Sequence, residues 1–519
     1  MMKYKQVYLI GIGGIGMSAL ARYFKATGSS VSGSDLEDSK ILKELRREGI
    51  KVKIGHKKAN LPRKLDLVVY NQAILADNVE IKEAKRRGIV PISYPEVIGE
   101  LTKQYKTVAI AGSHGKSTTT ALMSMILINA GLDPIVIIGT RVKEFGNTNF
   151  RSGSILGSRT SLGKSDFLVL EADEYGRAFH HYSPFAALIT NIDKEHLDTY
   201  INLAGVKKSF LKFISNIQND GILVLNSADK NTKSLENKII KICKPKKVSI
   251  YWYDVNEHLK GLSSLQLLPS LLGEHNISNA SGSFVLAKAI KIQDQIIYAT
   301  LKNFKGTWRR LEFRSNLQLT TNNIQLKLSK TSELSAKSYK LAVYDDYAHH
   351  PTEIKASLAA LKNNNNKHSN ILENVGMLLP EIAKQNNNLI CVFQPHQVER
   401  LTILFNDFVD AFRDADFLIL LPIYKVPGRE KKLGLRPKLK LKEIKNIESR
   451  MNSQFLAKAI QKKYPDKKVI YLKNPNNIAK IISDMLKNYK LTATSYTLVL
   501  MGAGDIIKYT DLLLQDNTN

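Results

Sequence analysis

The stretch TVAIAGSHGKSTTTALM, residues 107–123, joins a β-branched run to a helix-forming run through a Gly-Ser-His-Gly-Lys-Ser turn. The stretches QVYLIGIGGIGMSALARYF and YKLAVYDDYAHHPTEIKASLAAL have the same order of strand, polar or glycine turn, and helix. This order is the repeating unit of parallel α/β sheets, which bind ligands at the carboxyl ends of their strands. The sequence therefore predicts an α/β fold with three domains.

The length and composition of the chain support several domains. Its 519 residues exceed what one hydrophobic core usually serves. We expect boundaries near 103 and 315, which give domains at 1–103, 104–315 and 316–519. The Asn-bracketed segment 363–388 and the basic segment 426–450 are typical of surface insertions.

The first glycine turn, LIGIGGIG, matches G-x-G-x-x-G directly after a strand. Its glycines are Gly11, Gly13, Gly14 and Gly16. Such glycines let the backbone approach a diphosphate at a helix N-terminus. Ser34 and Asp35 end the next predicted strand, at the spacing of about 20 residues at which an acid accepts a ribose hydroxyl. The turn fits a nicotinamide dinucleotide, another diphosphate such as a UDP-sugar, or a purely structural role.

The second turn resembles a P-loop but departs from the strict G-x-x-x-x-G-K-[ST] pattern, because Ile110 stands where the first glycine belongs. We expect a phosphate cradle formed by Gly112, Ser113, His114, Gly115, Lys116, Ser117 and Thr118. Lys116 would reach the β- and γ-phosphates, and the Ser117 hydroxyl would serve Mg²⁺. The turn predicts an ATP site.

Acids and a histidine follow two later strands of the central domain. Glu171, Asp173 and Glu174 follow the apolar run FLVL, and Asp193, His196 and Asp198 follow AALITN. Carboxylates and imidazole at neighbouring strand ends suit a Mg²⁺ ion that bridges phosphates to a second substrate. The pattern predicts a magnesium site in the same domain as the phosphate cradle.

Charge, cysteines and hydropathy narrow the class of protein further. The net charge of +29 suits polyanionic ligands, but the lysines are spread thinly, which indicates a solvated surface and no dedicated nucleic-acid site. Cys243 and Cys391 have no metal or redox spacing. No apolar run reaches the roughly 18 residues of a membrane span. These features predict a cytoplasmic protein without membrane insertion.

Nine ordered motifs, which extend over about residues 5–510, make the chain similar to the Mur ligase family of bacterial cell-wall synthesis. They are IGIGGIGMSALA, AGSHGKSTTT, EADE, ITNIDKEHLDTY, GEHNISNASGSFVLAKAI, FKGTWRRLEFR, DDYAHHPTEI, FQPHQVERL and MGAGDI. The resemblance implies a Rossmann-like N-terminal domain for a UDP-sugar, a central P-loop-type ATPase domain with a mostly parallel sheet, and a Rossmann-like C-terminal domain for an amino acid. The first turn would then hold UDP-N-acetylmuramate and not NAD.

The resemblance also assigns site residues. Lys116 corresponds to the P-loop lysine, and the metal ligands correspond to Ser117, Glu171 and His196. The residues that resemble the adenine-side motif are His275, Asn276 and Asn279. Those that resemble the phosphate-binding arginines are Arg309 and Arg310. Those that would face the nucleotide and the amino acid are Asp346, His349, His350 and Arg400.

The implied reaction is ATP-dependent amide formation between the lactyl carboxylate of UDP-N-acetylmuramate and L-alanine, through an acyl phosphate. His349 or His350 would act as a base or position the amine.

The sequence EADEYGRAF departs from the usual acid motif and is closer to the ligases that accept a tripeptide, whereas the first glycine turn favours L-alanine as the acceptor. An NAD-dependent oxidoreductase would leave the GSHGKS turn and its acids unexplained, and the ordered motifs of the third domain argue against a nucleic-acid-dependent ATPase. The expected assembly is a monomer or homodimer.

Overall fold

The computed structural model describes residues 4–153, 166–255, 271–320, 323–328, 338–367, 388–425, 451–488 and 495–515. The chain divides into two compact units. Unit 1 comprises Met1–Leu268 and Asn276–Trp308, and unit 2 comprises Pro269–His275 and Arg309–Asn519. Within the described ranges, no helix combines the length and the apolar character needed to cross a membrane.

The first sheet of unit 1 has five parallel strands in the order β3-β2-β1-β4-β5. The strands are β1 Gln6–Ile10, β2 Ser30–Asp35, β3 Lys51–Ile54, β4 Leu67–Tyr70 and β5 Ile92–Ser93. The helices are α1 Ile15–Ala26, α2 Lys40–Arg47, α3 Val79–Arg86 and α4 Tyr94–Thr102. Helix α4 begins with Pro95 in its first turn and a capping box between Ser93 and Glu96, which together specify its start.

The second sheet of unit 1 has seven strands in the order β12-β11-β10-β6-β9-β7-β8. They are β6 Lys106–Ala111, β7 Ile135–Val142, β8 Thr148–Arg151, β9 Phe167–Glu171, β10 Ala186–Ile189, β11 Ile222–Asn226 and β12 Ser249–Tyr253. All pairs are parallel except β7 with β8, which form an antiparallel hairpin. The helices are α5 Lys116–Asn129, α6 Leu197–Tyr200, α7 Leu203–Ile214, α8 Lys230–Lys233, α9 Glu236–Cys243, α10 Glu274–Ala289 and α11 Asp294–Asn303.

Unit 2 contains a third sheet of seven strands in the order β14-β13-β15-β19-β16-β17-β18. They are β13 Glu312–Thr320, β14 Asn323–Leu328, β15 Ser338–Asp346, β16 Asn388–Phe393, β17 Phe417–Leu420, β18 Lys468–Tyr471 and β19 Ser495–Met501. Strand β13 pairs antiparallel with β14 and β15, and the remaining pairs are parallel. The helices are α12 Pro351–Lys367, α13 Val398–Ile403, α14 Phe405–Ala411, α15 Ser453–Lys463, α16 Ile478–Asn488 and α17 Ile507–Gln515.

The central strands explain why the sequence selects this architecture. Residues 108–111 of β6 and 186–189 of β10 are completely buried. A parallel strand covered by helices on both faces is a continuous apolar run, because neither face meets water. Such strands leave polar residues only at their ends, so the chemistry of the chain is concentrated at the strand termini.

The predicted α/β class and the three largely parallel sheets are confirmed. The three strand-turn-helix starts correspond to β1 with α1, β6 with α5, and β15 with α12. The domain boundaries stay a prediction, and β13 favours a second boundary earlier than 315 because this strand already begins at Glu312. Of the two predicted insertions, residues 368–387 and 426–450 lie outside the described residues.

Candidate functional site

The second glycine turn is a tight loop between β6 and α5 that has no room for side chains at two positions. Gly112 has a φ of +141°, and a Cβ there would lie 2.0 Å from Thr190 Oγ1. Gly115 has a φ of +83°, and its Cβ would lie 2.3 Å from Asn279 Oδ1. The left-handed conformation and the crowding both select glycine. The loop therefore packs closely against Thr190 and Asn279, and only glycine fits at these two positions.

The end of β10 holds this loop in place. The Asn191 side chain accepts a hydrogen bond from His114 N at 2.9 Å and donates one to His114 O at 3.0 Å. Asp193 N donates to Ser113 Oγ at 2.8 Å, and the Asp193 carboxylate lies 3.0 Å from His114 Nε2. The loop is thus preorganised by its neighbour strand. Sequence reasoning selected ITNID for its acids but missed the amide of Asn191.

Lys116 begins helix α5 and points back over its own loop. Its Nζ donates to the carbonyl of Gly112 at 2.7 Å and to a Glu174 carboxylate oxygen at 2.9 Å. Burial alone lowers the pKa of Lys116, but the charges of Glu174, Asp173 and Glu171 overcome that effect and raise the pKa. The lysine is therefore a fixed cation at the phosphate loop.

Ser117 and Glu171, two of the predicted metal ligands, are in direct contact. Ser117 Oγ donates to Glu171 Oε1 at 3.0 Å, and the other carboxylate oxygen accepts from Gly139 N at 2.7 Å. Burial raises the pKa of Glu171, while Lys116 and these two hydrogen bonds oppose the rise. The structure thus brings the hydroxyl and the carboxylate of the proposed metal site together beside the lysine.

His196, the third predicted metal ligand, lies in a second group with Asp173 and Glu174. The possible ligand atoms of these three side chains all lie within 4.8 Å of one another. His196 Nε2 is 3.6 Å from Glu174, and the Tyr175 ring centroid is 4.9 Å from the imidazole. Oxygen and imidazole donors at this spacing fit a divalent cation. The sequence placed these acids and this histidine at neighbouring strand ends, and the structure brings Asp173, Glu174 and His196 together.

The first glycine turn is organised by Asp35. One Asp35 carboxylate oxygen accepts from Gly13 N at 2.7 Å, and the other accepts from Leu36 N at 2.8 Å. Asp35 therefore stabilises the conformation of the first glycine turn. Its contact with a ribose hydroxyl stays a prediction. Gly11, Gly13 and Gly14 form the turn itself, and Gly16 lies in the first turn of α1.

Ser34, the neighbour of Asp35, belongs to a buried polar network that the sequence did not reveal. Its hydroxyl donates to Glu80 at 2.5 Å. Glu80 is fully buried and also accepts from Tyr8 and Asn60, and it contacts His56 Nδ1 at 3.2 Å. Although burial opposes ionisation, the hydrogen bonds from His56, Ser34 and Asn60 lower the pKa of Glu80. An ionised carboxylate thus supports the strand end that carries Ser34.

Unit 2 places the two predicted arginines in different environments. Arg309 is buried, has a φ of +53°, and donates from Nη2 to Gly502 O at 2.6 Å. Arg310 is partly exposed and lies 3.5 Å from the Glu353 carboxylate. Both guanidinium groups lie over the Tyr347 ring, at 5.4 and 5.2 Å. Because Arg309 is held inside its own unit, the geometry favours Arg310 for ligand contact.

The histidine pair after β15 is oriented by Glu353. The His349 and His350 backbone N–H groups both donate to Glu353 Oε2, at 3.1 and 3.4 Å. His349 Nδ1 lies 3.0 Å from Tyr347 O, and His350 Nδ1 accepts from Thr352 N at 3.3 Å. His350 is buried, whereas His349 is partly exposed. The pair differs in access, and the more accessible ring is that of His349.

Of the residues that resemble the adenine-side motif, Asn276 and Asn279 belong to unit 1 and His275 to unit 2. Asn276 and Asn279 are buried in α10 within unit 1, and Asn279 Nδ2 donates to Asn276 Oδ1 at 3.2 Å. His275 is assigned to unit 2. Burial lowers the pKa of His275 to about 4, so its imidazole is neutral at pH 7. Within unit 1, Asn279 lies close to Gly115, since a Cβ at Gly115 would be 2.3 Å from Asn279 Oδ1.

Substitution of Gly115 by Ala tests this loop. The new Cβ would collide with the Asn279 side chain, so we expect ATP affinity to fall by about 10-fold or more. Gly28→Ala is a matched control, because Gly28 also has a positive φ of +91° but nothing lies within 4 Å of the added Cβ. ATP titration by calorimetry measures both variants. Equal ATP affinity in the two would contradict the role of the loop.

Asp346 provides a pH-dependent prediction. Burial raises the pKa of Asp346 to about 6, although Ser357 and Arg310 act in the opposite direction. Between about pH 4 and 6 the unfolded carboxyl has lost its proton while the folded one retains it, so stability falls with rising pH, by up to about 3 kcal/mol. Asp346→Asn should remove this fall.

Urea unfolding at several pH values between 4 and 7 checks that prediction. The wild type should lose more of its free energy of unfolding across this window than the Asp346→Asn variant does. All other titrating groups are common to both proteins, so the difference reports on Asp346. Identical pH dependence in the two proteins would show that Asp346 ionises normally in the folded state.

Two family models match the chain. The Mur ligase family, catalytic domain, matches residues 6–106, and the Mur ligase middle domain matches residues 110–287. The UDP-N-acetylmuramate–L-alanine ligase of Caldanaerobacter subterraneus is 32% identical, with 99% of this chain and 98% of the relative covered. The ligase of the same name from Aquifex aeolicus is 36% identical, with coverage of 81% and 84%.

Solved structures show a similar fold. The UDP-N-acetylmuramate-alanine ligase of Thermotoga maritima aligns with a TM-score of 0.67 at 20% identity, over 99% of each chain. A murein peptide ligase of Psychrobacter arcticus aligns with a TM-score of 0.61 at 19% identity, over 99% of this chain and 98% of the other. At these identities the likeness concerns the fold alone.

Proposed function

The chain belongs to the Mur ligase family, and on that premise we propose that it joins L-alanine to the lactyl carboxylate of UDP-N-acetylmuramate in an ATP-dependent reaction of peptidoglycan precursor synthesis. Relatives that carry this activity in their names are 32% and 36% identical over 98% and 84% of their own lengths. In the structure, the phosphate loop is the main support for this proposal. There Lys116 lies beside Glu174, and Ser117 lies beside Glu171.

The chemistry explains why an amide ligase needs this loop. A carboxylate is a poor electrophile because its leaving group would be oxide. Transfer of the γ-phosphoryl group breaks the bond from Pγ to the ADP oxygen and forms a bond from Pγ to a lactyl carboxylate oxygen. The amine of L-alanine then attacks the acyl carbon, inorganic phosphate leaves, and the amine proton is lost to a base or to water. The protein contributes positioning and electrostatic stabilisation in both steps.

Lys116 is the main cation that the chain itself offers to the transferring phosphoryl group. It now contacts Glu174, and phosphate oxygens of ATP would replace the carbonyls of Gly112 and Ser113 as partners of Nζ. Its positive charge offsets the negative charge shared between two anionic reactants. The N–H groups at the start of α5 add to this field, because a helix N-terminus favours anions.

Mg²⁺ fits the residues that the sequence selected. Ser117 and Glu171 would hold one ion, and His196 with Asp173 and Glu174 provides oxygen and nitrogen donors for a second. When bound, Mg²⁺ supplies charge neutralisation for the phosphates. Tyr200 supports the second group, because its hydroxyl donates to the Glu174 carbonyl while its own N–H bonds to His196 O.

In unit 2, His349 is the better candidate for contact with the amine. It is partly exposed, and its Nδ1 is held near Tyr347 O and Glu353, so the ring has a fixed orientation. Of the two arginines, Arg310 is the better candidate for the phosphate or the carboxylate of the amino acid, because it is partly exposed, whereas Arg309 is buried and donates to Gly502 O. Asp346 and Arg400 would complete the amino-acid side of the site.

Each of the three domains has its own ligand in this proposal. The first domain binds the UDP-sugar, the central domain binds ATP, and the third domain binds the amino acid. The reaction belongs in the cytoplasm, where ATP is available, and a monomer or homodimer suffices. Nucleic acid has no role in it.

A second candidate acceptor is a tripeptide, which the sequence EADEYGRAF favours at one point of the site. Tyr175 contacts His196, and Gly176 and Arg177 both have positive φ values of 57° and 62°. A competition assay with equal concentrations of L-alanine and L-Ala-γ-D-Glu-meso-diaminopimelate, read by product mass, separates the two. The monopeptide product supports L-alanine as the acceptor, whereas the tripeptide product would indicate a ligase of cell-wall recycling.

A further inference from the structure

Asn149 on strand β8 is buried against helix α1, which follows the first glycine turn. Its Nδ2 donates to the carbonyl of Ile15 and, at 3.1 Å, to Ser18 Oγ. Its Oδ1 accepts from Arg22 Nη1 at 2.6 Å. All polar atoms of this amide side chain are therefore used to hold the helix that carries the proposed diphosphate cradle.

Arg141 on the adjacent strand β7 makes a second connection. Its two terminal nitrogens donate to the two carboxylate oxygens of Glu44 on α2, at 2.9 and 3.0 Å. Its guanidinium also lies over the Trp308 ring at 5.4 Å. Arg22 in turn forms a bidentate pair with Glu48 at 2.7–3.1 Å. Bidentate pairs fix orientation as well as distance.

The same hairpin also reaches the phosphate loop. Gly139 of β7, two residues before Arg141, donates its N–H to Glu171 at 2.7 Å. Glu171 accepts from Ser117 in the first turn of α5. One short antiparallel hairpin thus contacts the helix of the first glycine turn on one side and, on the other, the β9 carboxylate that accepts a hydrogen bond from Ser117.

We propose that the β7–β8 hairpin sets the position of the sugar-nucleotide cradle relative to the phosphate loop, and that Asn149 and Arg141 are positioning residues for phosphoryl transfer. The inference rests on the proposed function, because it assumes that the two loops hold the two reactants. The lactyl carboxylate oxygen must lie in line with the γ-phosphorus at about 3–3.5 Å, and a misplacement of about 1 Å can cost 100-fold in rate. Neither residue needs to touch a substrate to act in this way.

The test compares two Asn→Asp substitutions in one hairpin. Asn149→Asp keeps an acceptor for Arg22 but cannot donate to the Ile15 carbonyl. Asn147→Asp is the matched control, because Asn147 is exposed and its φ of 59° is one that Asp also tolerates. Steady-state kcat, the separate Kd values for ATP and UDP-N-acetylmuramate, and thermal unfolding are measured for both variants and the wild type.

For Asn149→Asp we expect kcat to fall by about 10- to 100-fold while each Kd stays within about twofold of the wild type. Asn147→Asp should match the wild type in every measurement. A purely structural role would lower the Tm and leave kcat unchanged below the transition. Unchanged kcat, or a loss of sugar affinity equal to the loss of kcat, overturns the proposal.

If Asn149→Asp does not fold, the same measurements are made on Arg141→Gln. Arg141 binds Glu44 of α2 and takes no part in the buried hydrogen bonds of Asn149. Failure of both variants to fold would show that these contacts serve stability, which also overturns the proposal. The wild-type assay separates this inference from the proposed function. If the wild type forms no amide product, the function fails; if it forms product and Asn149→Asp does so equally fast, only the positioning role fails.

Discussion

Replacement of Lys116 by Ala is expected to lower kcat for amide formation by about 1,000-fold or more. The ammonium group is the cation of the chain held directly over the phosphate loop, within 2.7 Å of the Gly112 carbonyl. Without it, the negative charge on the moving phosphoryl group loses the side-chain cation that the loop itself supplies. The measurement is product formation followed by mass under saturating ATP and UDP-N-acetylmuramate.

Two further variants separate catalysis from stability. Lys116→Ala leaves the fully buried Glu174 without its nearest cation, which costs stability on the order of 3–5 kcal/mol. The double variant Lys116→Ala/Glu174→Gln replaces the uncompensated charge with an amide and should regain stability but not activity. Lys106→Ala is the control, because Lys106 is exposed at the start of β6, the strand that precedes the loop. Near-normal turnover by Lys116→Ala would show that the phosphate loop does not take part in phosphoryl transfer.

Replacement of Glu171 by Gln is the change with the second largest expected effect. Its carboxylate joins Ser117 Oγ to Gly139 N, and an amide would lose the charge that attracts a divalent cation. We expect metal affinity to fall by about 10- to 100-fold, with a corresponding rise in the Mg²⁺ concentration needed for half-maximal activity.

Binding of Mn²⁺, measured by electron paramagnetic resonance with a non-hydrolysable ATP analogue present, gives a readout independent of turnover. Glu100→Gln serves as the control, since Glu100 is exposed on α4. Mn²⁺ binding should be unchanged in the control and weakened in Glu171→Gln. Equal Mn²⁺ affinity in both variants would assign the metal to the group of Asp173, Glu174 and His196 instead.

The local pattern of the sequence was sufficient to predict the strand-turn-helix starts. A β-branched run such as TVAIA, followed by a glycine turn, defines both the strand and the place where the backbone approaches a ligand. Gly112 and Gly115 follow the same logic, because their conformations are set within a few residues. The lysine and the acids after β9 were predictable because polar groups can stand only at the ends of buried strands.

Contacts between distant elements could not be predicted in the same way. Glu80 occurs in NVEIKEAKRR, a pattern typical of a solvated helix, yet it is fully buried because Tyr8, Ser34, His56 and Asn60 surround it. Asn149 is 134 positions from Ile15 in the chain. Asp35 has the spacing of a ribose ligand but uses both carboxylate oxygens on nearby backbone N–H groups. These roles depend on tertiary neighbours, which a single sequence does not display.

The central claim is tested most directly by phosphate release from ATP in the presence of Mg²⁺, UDP-N-acetylmuramate and L-alanine, with the product identified by mass. We expect rapid release only when all components are present, with one UDP-N-acetylmuramoyl-L-alanine formed per ADP. Glycine, L-serine and the tripeptide should support slower turnover. Turnover with the tripeptide alone, or phosphate release without any amide product, would show that the protein is not an L-alanine ligase.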